Sequence, residues 1–206
     1  MIKNYKIYVF FALSFLVVDT FAQDKLLFLN GKELNGQLLN TNNFETSFKT
    51  ANGKEYLIEN FRVFSYTQNG QESLLYKYDT LEGNFLSEKD MRLFVFGERD
   101  AHQTYHSKFS NALGFLVGGA AGYVMHKDQA FIYVAAPLVY TSVTLFFPTS
   151  VKQKRLTDLQ YLKEDEYLRG HERIARSKRT QNALKSSVLG MGAGFLISFL
   201  VNGSSN

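Results

Sequence analysis

Apolar positions change their spacing several times along the chain. Residues 7–18 are apolar except for Ser14. Between Lys25 and Tyr78, short apolar or aromatic runs recur at 26–29, 37–39, 46–49, 56–58, 62–66 and 73–78. Several alternate with period two, the repeat of a strand whose side chains point to opposite faces. Asn30-Gly31, Asn35-Gly36, Asn52-Gly53 and Asn69-Gly70 lie among these runs, and Asn-Gly readily takes the positive φ that tight hairpins require. The pattern predicts a β-rich module over 23–82 with five or six antiparallel strands. A flat sheet of this size is marginal, so curling into a small SH3-like or Sm-like barrel is expected, burying Leu27, Leu29, Leu38, Phe48, Ile58, Val63 and Phe64.

The period then lengthens. Residues 83–111 read as a connecting helix: Ser87 can cap it, Asp90 stands three residues on, and the helix runs from Met91 to about Ser107 with Met91, Phe94 and Val95 on one side. Gly97 within it costs about 1 kcal/mol relative to Ala, which marks either a kink or a strand over 93–96. Residues 112–148 read as a hydrophobic helical hairpin. Its first arm carries Gly114, Gly118 and Gly122 at four-residue intervals, its second runs from Ala130 to Phe147, and residues 126–129 join them. A charged helical segment follows over 149–185, then a C-terminal hydrophobic helix and tail over 186–206, with Ser186, Gly190, Gly194 and Ser198 again at four-residue intervals. Such spacing gathers small residues on one helix face, where two backbones can approach closely. In water these segments would be poor helices. In lipid they are reasonable ones, and the expected fold is α+β: a barrel-like module followed by glycine-spaced membrane helices.

Composition sharpens this picture. Of 206 residues, 45% are apolar, and a mean hydropathy of −0.17 averages over segments suited to two different solvents. Cysteine is absent, which removes disulfides, thiol catalysis, Cys-ligated zinc and an N-terminal lipidated cysteine. Lys3 and Lys6 precede the apolar run 7–18, and Thr20-Phe21-Ala22 follows it. That is the order of a secretory signal peptide over 1–22, with cleavage expected after Ala22 and the module on the exported, periplasmic side of a cell envelope. The net charge of +4 and pI near 9.1 suit a membrane surface, and no nucleic-acid partner is expected for an exported chain.

The stretch Asp24 to Gly36 resembles the strand, Asn-Gly, strand opening of exported Bacteroidetes proteins with no established activity. Residues 91–101 (MRLFVFGERDA) and 170–179 (GHERIARSKR) are similar to further blocks of that group. The resemblance implies an envelope location and assigns no activity or site residues.

Arg173, Arg176, Lys178 and Arg179 stand just before the third apolar run, as cations facing anionic headgroups do. If both arms of the hairpin cross the membrane, however, this basic stretch falls on the exported side, against the positive-inside rule. One crossing plus a re-entrant arm would remove the conflict, as would burial of the hairpin in a larger assembly. His102 and His106, at i and i+4, could share a metal, yet a zinc site needs a third protein ligand and none is in register. No phosphate-cradling glycine loop or Ser, His and acid cluster is visible. No catalytic residue, metal or cofactor is therefore expected. The leading reading is a non-catalytic envelope protein, an assembly or scaffold component held by membrane lipids and by a helix–helix partner or self-association. An oligomeric pore or transport subunit is the alternative, and an enzyme the third.

Overall fold

The computed structural model describes residues 23–149, 151 and 159–203. The expected signal peptide over 1–22 lies outside the described residues.

Each of the six apolar runs of the N-terminal module contributes to a strand, though the last run leaves the sheet after Leu74: β1 (Asp24–Phe28), β2 (Glu33–Thr41), β3 (Glu45–Thr50), β4 (Glu55–Glu59), β5 (Val63–Gln68) and β6 (Gln71–Leu74). They make one antiparallel sheet in the order β4-β3-β2-β1-β5-β6. The sheet is open, with β4 and β6 at its edges, and not the closed barrel expected from the sequence. Alternation splits the apolar residues between two faces. Leu26, Leu38, Phe48, Ile58 and Val63 form one buried cluster made by the strands themselves. Bulges at Leu27/Phe28 and Leu38/Asn40 bend and twist the sheet over it. Leu27, Phe64 and Tyr76 face the other way and are covered by Val95, with Met91 and Phe96 beside it. A helix caps this second face, so the strands had no need to close on themselves.

Three of the four Asn-Gly pairs make turns, with Gly31, Gly53 and Gly70 at positive φ. Asn35-Gly36 does not. It lies inside β2, where a Cβ on Gly36 would overlap the carbonyl of Lys49 on β3.

Helix α1 (Glu88–Thr104) starts where expected, with Ser87 accepting a hydrogen bond from the Asp90 amide at 3.1 Å. It ends three residues earlier than predicted, and Gly97 sits in unbroken helix. Helix α2 (Lys108–Asp128) is the first arm of the hairpin. The second arm is a 3₁₀ turn, Phe131–Ala135, leading into helix α3 (Ala136–Thr144) with Pro137 in its first turn. The charged segment and the C-terminal hydrophobic run, expected as separate pieces, are one helix, α4 (Asp165–Asn202), preceded by a 3₁₀ turn over Leu159–Lys163. Residues 152–158 of the charged segment lie outside the described residues.

At about 1.5 Å per residue the 38 residues of α4 extend about 57 Å. Its buried residues form one stripe along its length, from Tyr167, Gly170, His171, Ile174 and Ala175 through Arg179, Ala183 and Ser187 to Gly190, Gly194 and Ser198. The N-terminal half of the stripe packs on α1 and the C-terminal half on α2. Both run parallel to α4: Phe94 meets Gly170 and Gly97 meets His171, then Gly118 meets Ser187 and Gly122 meets Met191. Helix α3 runs back the other way, so that Tyr140 donates to the Ser110 carbonyl and Arg179 to those of Phe147 and Pro148.

Candidate functional site

The helices present two kinds of surface, a seam where small residues meet and, over α2, α3 and the C-terminal half of α4, an outer face rich in exposed apolar side chains. In the seam, a Cβ on Gly118 or Gly122 would overlap the carbonyl of Ser187 or Met191, and one on Gly190 or Gly194 the carbonyl of Phe115 or Gly119. Gly114 faces the Ser186 hydroxyl and the Tyr140 ring. The two stripes singled out in the sequence therefore meet each other within a single chain. Ser187, fully buried beside Gly118, belongs to the seam more than the half-buried Ser186 does; four-residue spacing drifts around a 3.6-residue helix, which hides this from the sequence. At the far end, His126 hydrogen-bonds Ser198 at 3.1 Å and meets the rings of Phe195 and Phe199 edge-on.

The outer face is the opposite. Phe115, Leu116, Leu138, Val139, Leu196 and Leu200 are among many large apolar side chains left exposed on α2, α3 and α4. Helix α4 is the one helix among the described residues long and apolar enough to cross a membrane; its most apolar window has a mean hydropathy of 1.7 and is only 22% buried. A core helix of a water-soluble protein would be mostly covered. From Lys108 to His126, α2 rises about 27 Å at 1.5 Å per residue, near the ~30 Å of a bilayer's hydrocarbon core.

Closer to the sheet the seam turns polar. A Cβ on Gly97 or Gly170 would overlap the carbonyl of Tyr167 or Phe94, so α1 and α4 also touch backbone to backbone. Gly97 is therefore a contact and not a kink. Around it, Tyr167 donates to buried Asp100 at 2.7 Å, and Arg99 pairs with Asp100 at 3.2 Å. Glu98 is wholly buried, and neither carboxylate oxygen has a hydrogen-bond partner, although an Arg173 nitrogen lies 3.1 Å from one of them. Burial pushes its pKa up to about 7 against the pull of Arg173. Sequence spacing gave no sign of this network, because its members come from segments about seventy residues apart. Helix α1 is also tied to the sheet: Arg92 pairs with Glu72 at 2.6 Å, and Gln103 donates to Glu33.

The four basic residues expected at a lipid surface have different surroundings. Arg173 and Arg176 are exposed at the side chain, the first beside Glu98 and the second paired with Glu172. Lys178 donates to the carbonyls of Ala101, His102 and Tyr105, closing the C-terminus of α1. Arg179 is only 4% exposed and holds the carbonyls of Phe147 and Pro148. His102 and His106 are not brought together as ligands: His102 bonds the Asn30 carbonyl, and His106 lies beyond the end of α1. Among the described residues no group of three His, Cys, Asp or Glu side chains could hold a metal.

Comparison with protein-family models, with curated proteins and with solved structures finds no match to this chain.

Proposed function

We propose that the chain is a non-catalytic cell-envelope protein, an assembly or scaffold component whose exported β module is held rigidly at a membrane by its own helices. One observation carries the reading: α2 and α4 spend their small-residue faces on each other, while their large apolar side chains point outward. In lipid, backbone-to-backbone contact inside and apolar contact outside is a stable arrangement. In water the outer face would be an aggregation surface. Helix α4 continues past the apolar bundle to pack on α1, and α1 is locked onto the sheet, so the module stands on a strut and not on a flexible tether. The sheet ends in β4, which carries exposed Leu57 and has exposed Phe44 and Phe61 beside it, a surface suited to a partner strand. The pore alternative lacks this support, because the glycine faces it would use between copies are already covered.

The module and the basic half of α4 both pack on α1, so they share one side of the apolar bundle. With an exported module, these cations are exported too. Ion pairs with Glu98 and Glu172 and hydrogen bonds to backbone carbonyls stabilise them there. The test is fractionation of cells producing the full chain. It should stay in the membrane pellet through an alkaline carbonate wash, and protease should reach the β module only once the periplasm is opened. Release by carbonate would refute the membrane anchor; digestion only from the cytoplasmic side would refute export.

A further inference from the structure

At the break between α1 and α2, where the polar strut meets the apolar bundle, a cavity of about 730 Å³ opens between these helices, the end of α3 and α4. Its wall is chemically one-sided. Arg179, Lys108, His106 and His171 line it, and no acidic residue does so among the described residues. Arg179 is the anomaly. It is 96% buried, it spends two nitrogens on the carbonyls of Phe147 and Pro148, and its Nε finds no partner. Carbonyls accept hydrogen bonds but carry no net charge, and a buried guanidinium without a counter-charge is costly. His171, 2% exposed, likewise has an Nδ1 with no partner. The start of α2 adds to the same field: the Ser107 side chain does not cap it but donates to Asn111, so the positive end of the helix faces this wall. The mouth is apolar, formed by Phe109, Leu113 and Phe147, which are exposed on the surface read above as lipid-facing.

We propose that this cavity is a binding site for the phosphate of an anionic phospholipid, with Arg179 and Lys108 as counter-charges and acyl chains leaving past Phe109, Leu113 and Phe147. The proposal rests on the membrane reading. A headgroup supplies the missing anion at the depth where the bundle meets water, and the apolar exit fits a ligand with a hydrocarbon tail better than a free ion. Basic pockets at the ends of membrane helices take anionic headgroups by this chemistry.

Native mass spectrometry of the full chain from detergent, with phosphatidylglycerol and phosphatidylcholine added in equal amounts, tests it. About tenfold enrichment of one phosphatidylglycerol per chain is expected. Lys108→Glu, at an exposed position of the wall, should remove the enrichment while the protein still floats with neutral phosphatidylcholine vesicles. Arg179→Gln should do the same, and circular dichroism separates lost binding from lost fold. Equal retention of the two lipids by a chain that floats normally would overturn the site and leave the anchor standing. So would enrichment unchanged in Lys108→Glu, or displacement of the lipid by millimolar inorganic phosphate.

Discussion

Glu98 shows how far one side chain's chemistry depends on its neighbours. Its pKa rises from an ordinary 4.5 to about 7 because burial penalises the charged carboxylate more than Arg173 stabilises it. Between these values the folded protein holds a proton that the unfolded chain has released. The contribution of Glu98 to stability is therefore fully present below about pH 4.5, falls as pH rises to about 7, and is flat above. Glu98→Gln should remove that slope, and at pH 8 it should stabilise the protein by of order 2 kcal/mol. Urea unfolding in detergent at pH 5 and pH 8 reads both; an unchanged slope would show that the carboxylate is not the titrating group. Glu72, lowered by Arg92 and Ser65 against its burial, and His102, lowered mainly by burial, both contribute the opposite trend. The difference between variant and parent isolates Glu98. Tyr167→Phe, which removes a donor from buried Asp100, should cost about 1–2 kcal/mol.

For the helices, the decisive quantity is the distance between backbones. Leucine favours a helix over glycine by up to about 1 kcal/mol, yet at Gly118 or Gly194 its Cβ alone would overlap a carbonyl of the facing helix. A carbonyl within a helix cannot swing aside, so the overlap outweighs the propensity gain. Gly118→Leu and Gly194→Leu should therefore separate α2 from α4, while insertion survives because leucine suits lipid. The cysteine-free chain allows a direct readout. In a background carrying His126→Cys and Ser198→Cys, whose native side chains touch, oxidation should lock the two helices, and either leucine substitution should abolish the lock. Leu116→Ile and Leu200→Ile, on the exposed face, should leave it unchanged. Persistence of the disulfide in both leucine variants would make the seam incidental.

The whole molecule is a sheet, a strut and an apolar bundle in one continuous stack, and two expectations belong to that scale. A fragment of residues 23–81 keeps the cluster around Leu26 and Phe48 but uncovers Leu27, Phe64 and Tyr76, which α1 normally covers. It should be β-rich by circular dichroism yet bind a hydrophobic dye, and a fragment extended to residue 104 should bind much less. Equal dye binding by the two would mean that α1 does not protect the second face. In membranes, single cysteines at Asn69 and Arg176 should react with an impermeant thiol reagent from one side, and a cysteine at Asp128 from the other. The packing of α4 on α1 requires this, whichever side faces the periplasm.

Sequence alone determined whatever depends on near neighbours. Period-two runs and Asn-Gly turns are set within a few residues, so all six strands and three of the four turns were legible. The Ser87 cap and the small-residue stripes were legible for the same reason. Asn35-Gly36 misled because a glycine that admits a neighbouring strand looks, in one dimension, like a glycine that turns the chain. Only the tertiary structure decided that the sheet stays open, since closure depended on whether a distant helix would cover Leu27 and Phe64. It also decided that the two glycine stripes serve each other and that Gly97 is a contact. Arg179 became a buried cation and Glu98 a buried acid in the same way, through residues separated by tens of positions along the chain. Burial and charge compensation depend on what lies opposite in space, and local spacing does not carry that information.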